Sequence, residues 1–261
     1  MVLRLTLPPS VGGVALPLHL VFEVLAYTLG FRYFLRLRAR GVDRIADLDR
    51  LWIFLAAAGG GFVGARLLGA LEHHDVLLAL PRTLASLPAI LAVKTIVGGL
   101  LGGLVAVEWA KRRLGVTASS GDLMVYPLLL ALCLGRVGCF LSGAEDGTHG
   151  LPTALPWAID VGDGVPRHPT ALYEIAFLVG LWALLRRRDA QGPLPDGRRF
   201  QIFLAAYLLF RLLVEPLKPR APLVLGLSAI QLACVAGLIY YRRLLLLLPW
   251  PTATTSSTTS L

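Results

Sequence analysis

The chain has 261 residues, 56% of them hydrophobic and 16% charged, with a mean hydropathy of +0.70 and a formal charge of +9. A soluble domain carries about 25% charged residues, so this composition excludes one and describes a polytopic membrane protein. The positive charge sits in short loops between apolar blocks, where it sets orientation in a bilayer; it is not a nucleic-acid footprint.

Crossing a bilayer takes roughly 20 apolar residues. Blocks of that kind predict seven helices, over 14–36, 51–71, 87–110, 122–142, 170–186, 200–216 and 222–247. The leading MVLRLTLPPSVGG is too short and too proline-broken for a cleavable signal, so the first span itself directs insertion. That span carries Glu23 and leaves through Arg32 and Arg36 into a loop with Arg38, Arg40, Arg44 and Arg50. The second contains GGGFVGAR (59–66); the third contains Lys94 and VGGLLGG (97–103) and ends at Lys111, Arg112 and Arg113. Small residues at this spacing let helices approach closely, and they also leave room for a ligand tail.

The fourth span ends in GRVGCFLSGAEDG (135–147), an arginine and a thiol closing an apolar run, then acidic residues and four glycines. Glycines there permit turns that present N–H groups to phosphate oxygens. The connection 143–169 is rich in Gly and Pro, which argues against a regular helix. It holds Glu145, Asp146, His149, Trp157, Asp160, Asp163, Arg167 and His168, and reads as a lid over a membrane site. Metal-ligand spacings such as HxxxH or HExxH do not occur, so neither a metal nor another cofactor is expected. RHPTALYE (167–174) then enters the fifth span. On the sixth, Arg211 and Glu215 stand four apart on one face and pair, with Lys218 one turn further. Cys133, Cys139 and Cys234 lack CxxC spacing and imply no disulfide framework or zinc site. Residues 248–261 form a polar, low-complexity, disordered tail.

Numbering the spans in order puts sixteen Lys and Arg residues on one side and five on the other: Arg4, Arg82, Arg167, Lys218 and Arg220. The basic side is cytoplasmic, which places the N-terminus outside and the C-terminus inside. Four more cations, Arg66, Lys94, Arg136 and Arg211, fall inside or at the edges of spans, with Glu23 and Glu215 as acidic companions. A charge near the bilayer centre costs about 2.5–3.5 kcal/mol on insertion scales. Internal pairing or snorkelling to the interface would relieve it, and so would a polar cavity that receives an anionic headgroup, the reading adopted here. The predicted architecture is an all-α polytopic membrane protein: one domain, 1–247, of seven transmembrane helices around a central polar cavity, with 143–169 as an outer loop lid.

GRVGCFLSGAEDG, LPW (155–157) and PRHPTALYE (166–174) together resemble the prolipoprotein diacylglyceryl transferase family. VGAR (63–66), VGGLLGG, FRLLVEPLK (210–218) and GLSAIQ (226–231) extend the likeness in the same order. The resemblance implies a multi-pass protein of the bacterial inner membrane that moves diacylglycerol from phosphatidylglycerol to the cysteine thiol of a lipoprotein precursor. Its expected partners are that lipid or another anionic phospholipid, and lipobox-containing precursors. It implies headgroup-holding roles for Arg136 and Arg211, with Glu215 one turn on and Lys218 where arginine is usual. Arg167, His168, Tyr173, Glu174, Gly138, Gly143 and Gly147 match family positions. Cys139 and Ser142 stand where the family has asparagines, Glu145 is one residue from its glutamate, and Val97 replaces its histidine.

The implied reaction makes two demands. The leaving glycerol phosphate needs cations in a low-dielectric site, which Arg136, Arg211 and Lys94 supply and Arg66 supplements. The acceptor thiol must ionise, and Glu23, His168 and Glu145 are the candidate bases. A transferase with another acceptor, and a non-catalytic phospholipid- or lipoprotein-binding protein, are the alternatives.

Overall fold

A computed structural model describes residues 3–4, 10–11, 14–15, 17–73, 93–143, 149–160, 164–219 and 222–242. Seven α-helices run through them: α1 Leu18–Leu37, α2 Asp47–Glu72, α3 Ile96–Leu114, α4 Val125–Leu141, α5 Thr170–Ala190, α6 Arg198–Val214 and α7 Ala229–Tyr240. They follow the predicted blocks in number and order. Among the described residues, four stretches are long and apolar enough to cross a membrane: Leu18–Arg40, Asp47–Glu72, Asp122–Leu141 and Arg198–Leu217.

Three helices start four or more residues later than expected, each for a local reason. The first helix starts at Leu18 rather than 14, because Val14–Ala15 pairs antiparallel with Ser10–Val11. The third starts at Ile96, where the Thr95 side chain accepts the Gly98 N–H as an N-cap. The seventh starts at Ala229, because Ser228 and Gln231 form a reciprocal capping box after a tight turn at 224–227.

The glycines of the second and third spans serve helix packing. A Cβ on Gly64 would lie 2.3 Å from the Gly98 carbonyl oxygen, and one on Gly102 would lie 2.4 Å from that of Gly60. The facing backbone therefore occupies the space that a ligand tail would need along this seam. The buried core lies between α4, α5 and α6, where Leu129, Leu178, Phe203, Leu204, Tyr207 and Leu208 are fully covered. Leu67, Val105 and Leu213 point outward and are largely exposed, as a lipid-facing surface requires.

At one end of the bundle, Leu3–Arg4 pairs in parallel with Ile159–Asp160, which pairs antiparallel with Pro166–Arg167. The N-terminus and the 149–168 connection therefore share an end, as the four spans predicted between them require. The described residues of the connection, 149–160 and 164–168, form short strands and turns rather than a helix. It is tied to the bundle where the Leu151 N–H donates to the Leu217 carbonyl at 2.8 Å, and Gly150 fits only because His168 crosses where its Cβ would be.

The opposite end carries the basic loops and is held by carboxylates. Asp122 accepts the Gly197 and Phe200 N–H groups at 2.7 and 2.8 Å, capping α6 from the loop before α4. Asp189 accepts the Tyr126 hydroxyl at 2.6 Å and the Arg199 guanidinium at 3.0 Å.

Candidate active site

α4, α5 and α6 each carry one charged side chain into their shared interior, and the three meet at Glu174. This carboxylate is fully buried one turn inside α5. Its Oε2 lies 3.0 Å from Arg136 Nε on α4 and 3.3 Å from Arg211 Nη1 on α6. Its Oε1 accepts the Tyr207 hydroxyl at 2.6 Å. Arg211 also donates through Nη2 to Glu215 at 2.7 Å, the pairing that their spacing on one helix face predicts.

Such a cluster holds together only if charges and hydrogen bonds balance, because desolvating each ion costs several kcal/mol. Two carboxylates face two guanidiniums, and Lys218 adds a third cation whose field reaches both arginines and both glutamates. Burial and the nearby Arg211 and Arg136 push the Lys218 ammonium down to about 7. Arg136 Nε is close to Glu174 yet too skewed for a hydrogen bond, and Arg211 Nε has no acceptor among the described residues. Buried N–H groups without acceptors are rare in native interiors. The cluster thus sets two guanidiniums, and an ammonium that burial keeps only partly charged near neutrality, against two carboxylates, with guanidinium donors left over.

Cys139 is on the next turn of α4 and its Sγ accepts from Arg136 Nη1 at 3.6 Å. The Ser142 hydroxyl bonds back to the Gly138 carbonyl at 2.9 Å, and Gly143, with φ of +64°, ends the helix in the left-handed region. Gly138 is required by packing, since a Cβ there would lie 2.6 Å from the Phe22 Cβ of α1.

Glu23, Lys94 and Arg66 form a second polar group. Lys94 Nζ lies 2.7 Å from Glu23 Oε1, to which the Tyr27 hydroxyl also donates at 3.4 Å. Arg66 donates to the Val93 carbonyl at 3.1 Å, fixing the segment that carries Lys94, and lies over the Phe62 ring. At the mouth of α5, the Tyr173 hydroxyl accepts from Trp157 Nε1 at 2.7 Å and lies 3.3 Å from His168 Nδ1. Arg167 reaches the Gly150 carbonyl at 3.5 Å. Val97 is buried in the hydrophobic core. Glu145 and Gly147 lie outside the described residues.

Of the positions named from the sequence, Arg136, Cys139, Glu174, Arg211, Glu215 and Lys218 come together; Glu23 and Lys94 pair separately; His168, Tyr173 and Arg167 build the loop junction. Tyr207 was not anticipated. Its signal is the polar stripe Tyr207, Arg211, Glu215, spaced by four residues along an otherwise apolar helix.

The family model for prolipoprotein diacylglyceryl transferase matches residues 10–247. The chain belongs to this family. It is 34% identical over 226 residues to a phosphatidylglycerol–prolipoprotein diacylglyceryl transferase of Bordetella bronchiseptica, covering 79% of this chain and 82% of that one. The like-named protein of Vibrio vulnificus is 32% identical over 210 residues, covering 76% and 74%. That of Frankia alni is 31% identical over 226 residues, covering 80% of this chain and 58% of the relative. The chain spans somewhat more than half the length of the Frankia protein and of the Polynucleobacter asymbioticus relative, where 56% is covered.

Proposed function

We propose that this chain transfers the diacylglyceryl group of phosphatidylglycerol to the thiol of a lipoprotein-precursor cysteine. The observation that carries the reading is the meeting of Arg136 and Arg211, from different helices, at the shared buried carboxylate of Glu174, with Lys218 beside them and Arg211 Nε without an acceptor among the described residues. The names of the matched relatives supply the substrates.

In the reaction, the thiolate sulfur bonds to the terminal diacylglyceryl carbon. The bond from that carbon to the phosphate oxygen breaks, and glycerol phosphate leaves with the electron pair. Charge grows on the leaving phosphate, and prearranged donors in a low-dielectric site stabilise it without reorganisation. Arg136 and Arg211 supply those donors, and Lys218 adds positive field. Glu174 and Tyr207 hold the two guanidiniums in place while the site is empty of lipid, which prevents their mutual repulsion from opening the bundle. Gly138, Cys139, Ser142 and Gly143 shape the end of α4 beside the headgroup.

The seven helices cross the cytoplasmic membrane around this polar centre, with the N-terminus outside and the basic loops and C-terminus inside. The 143–169 connection, with Arg167, His168 and Tyr173, roofs the centre on the outer face. Glu23, Lys94 and Arg66 form the neighbouring polar wall.

The test uses the full chain in vesicles of phosphatidylglycerol with a cysteine-bearing lipobox peptide. The expected result is a peptide heavier by one diacylglyceryl group, and loss of that product in Arg136→Ala. Retention of the lipid without transfer to the peptide would overturn the reading.

A further inference from the structure

The transfer just proposed needs a group to take the acceptor's proton, since a free thiol ionises only at about pH 8.5. Arg136 and Arg211 stay protonated at any working pH and cannot accept it. Glu174 is engaged on both oxygens, by Tyr207 on Oε1 and by the two arginines on Oε2. Val97, at the family's histidine position, is packed in the core and offers no acceptor. Lys218 differs from all of these. Its Nζ makes no hydrogen bond or ion pair with a described residue, and it is not sealed from solvent, because the side chain is only part-buried. The described charges that face it come from three helices: Arg211 and Glu215 at the end of α6, Arg136 on α4 and Glu174 on α5. Its backbone N–H donates to the Glu215 carbonyl at 3.0 Å, while the carbonyl of the preceding Leu217 holds the Leu151 N–H at 2.8 Å. The lysine therefore stands where the buried cluster meets the 149–168 connection. Burial and the two arginines push its ammonium down to about 7, so the neutral amine is well populated near neutrality.

On the reading proposed above, we infer that Lys218 is the general base of this chain, its neutral amine taking the proton of the acceptor thiol beside the two headgroup arginines. The lone pair on Nζ bonds the proton of the S–H, and the pair left on sulfur forms the bond to the diacylglyceryl carbon. The bond from that carbon to the phosphate oxygen breaks, and glycerol phosphate departs with its electrons. The ammonium then returns the proton to water or to the departed phosphate. Charging the amine adds a cation next to Arg136 and Arg211 just as negative charge grows on the leaving group. A bound headgroup phosphate raises the amine's value from about 7 toward that of the thiol, which brings the two partners near balance, where a base works best. Arginine, usual at this position in the family, supplies the charge but no proton acceptor.

The test compares two acceptor peptides, one with cysteine and one with selenocysteine, in phosphatidylglycerol vesicles with the full chain. A selenol ionises well below a thiol and needs no base. Lys218→Arg keeps the charge and removes the acceptor. It is expected to lower the ratio of cysteine to selenocysteine turnover by about a hundredfold to ten-thousandfold, the usual contribution of a positioned base. Lys218→Met, close in length and without charge, is expected to lower that ratio by a similar factor and guards against misplacement of the larger guanidinium. Its selenocysteine turnover should fall as well, through the lost positive field. Equal losses with both peptides in the two variants would assign Lys218 to headgroup binding or packing alone and overturn the inference. An undiminished thiol rate in Lys218→Arg would overturn it while leaving the transferase reading intact. No transfer by the wild-type chain to either peptide would remove both.

Discussion

Arg50 and Arg136 are both buried arginines at opposite ends of the polar content of this protein, and their surroundings treat them differently. Arg50 grips Asp43 with Nε at 2.8 Å and with Nη2, and gives Nη1 to the Ser120 carbonyl at 3.0 Å. Arg38 lies 3.3 Å from the same carboxylate and also pairs with Asp47. A bidentate guanidinium of this kind satisfies its donors and ties the start of α2 to the loop before α4. Arg136 instead shares Glu174 with Arg211, keeps Nε out of hydrogen-bond alignment, and touches a thiol with Nη1. One arginine is fully employed in holding the fold; the other retains capacity for a ligand. Buried charge alone does not mark a site, whereas buried charge with unused donors does.

The comparison breaks most sharply at Glu174. Glu174→Gln removes the charge that both guanidiniums share, leaving two buried cations face to face. Removing one partner of a buried ion cluster costs about 3–5 kcal/mol, so the variant should unfold at much lower temperature in neutral detergent. Phosphatidylglycerol should restore much of that loss, because its phosphate replaces the missing negative charge. Thermal unfolding with and without the lipid measures this; an equal shift in both conditions would mean that the arginines do not face the headgroup.

Next in size is the contrast of the arginines themselves. Arg136→Ala should lower turnover by about a hundredfold to a thousandfold, as losing one transition-state donor does elsewhere. Arg50→Ala should lower thermal stability but leave turnover per folded molecule near wild type. Assays normalised to the folded fraction separate the two. A third, smaller effect concerns neither arginine: Gly64→Ala forces a methyl to within 2.3 Å of the Gly98 carbonyl oxygen. Overpacking of this kind costs about 1–3 kcal/mol, read as a fall in unfolding temperature without selective loss of lipid binding.

Much of this was legible from sequence because apolar length and spacing act locally. Each of the seven blocks holds one of the seven α-helices among the described residues, and the four-residue step from Arg211 to Glu215 places their contact without knowledge of the fold. The start of α7 was legible too, since S-x-x-Q before an apolar run is a capping box, yet hydropathy alone carried the block back to residue 222. The hub role of Glu174 was not legible. It depends on α4, α5 and α6 converging, and in the sequence its carboxylate stands 38 residues from Arg136 and 37 from Arg211.

The smallest effect distinguishes the two ends by pH. Burial opposes the ionised form of Asp43, but the hydrogen bond and charge of Arg50 outweigh it and hold the carboxyl below its usual value. Its contribution to stability is present above the usual carboxyl range and is lost as pH falls through the lowered value. Lys218 shifts in the opposite sense, down to about 7 from the usual 10.5, through burial and the fields of Arg211 and Arg136. An unfolded chain binds the proton more readily between those values, so the cost of the buried ammonium is fully present below about pH 7 and is relieved as pH rises toward 10.5. An anionic headgroup reverses the balance by favouring the charged form, so binding takes up a proton. Affinity for phosphatidylglycerol should therefore weaken between about pH 7 and 9, by no more than tenfold per pH unit for one linked proton. Lys218→Arg, whose guanidinium stays charged throughout, should flatten that slope. Lipid titrations of both proteins across this range test it, and a slope that survives in Lys218→Arg would move the linked proton to another group.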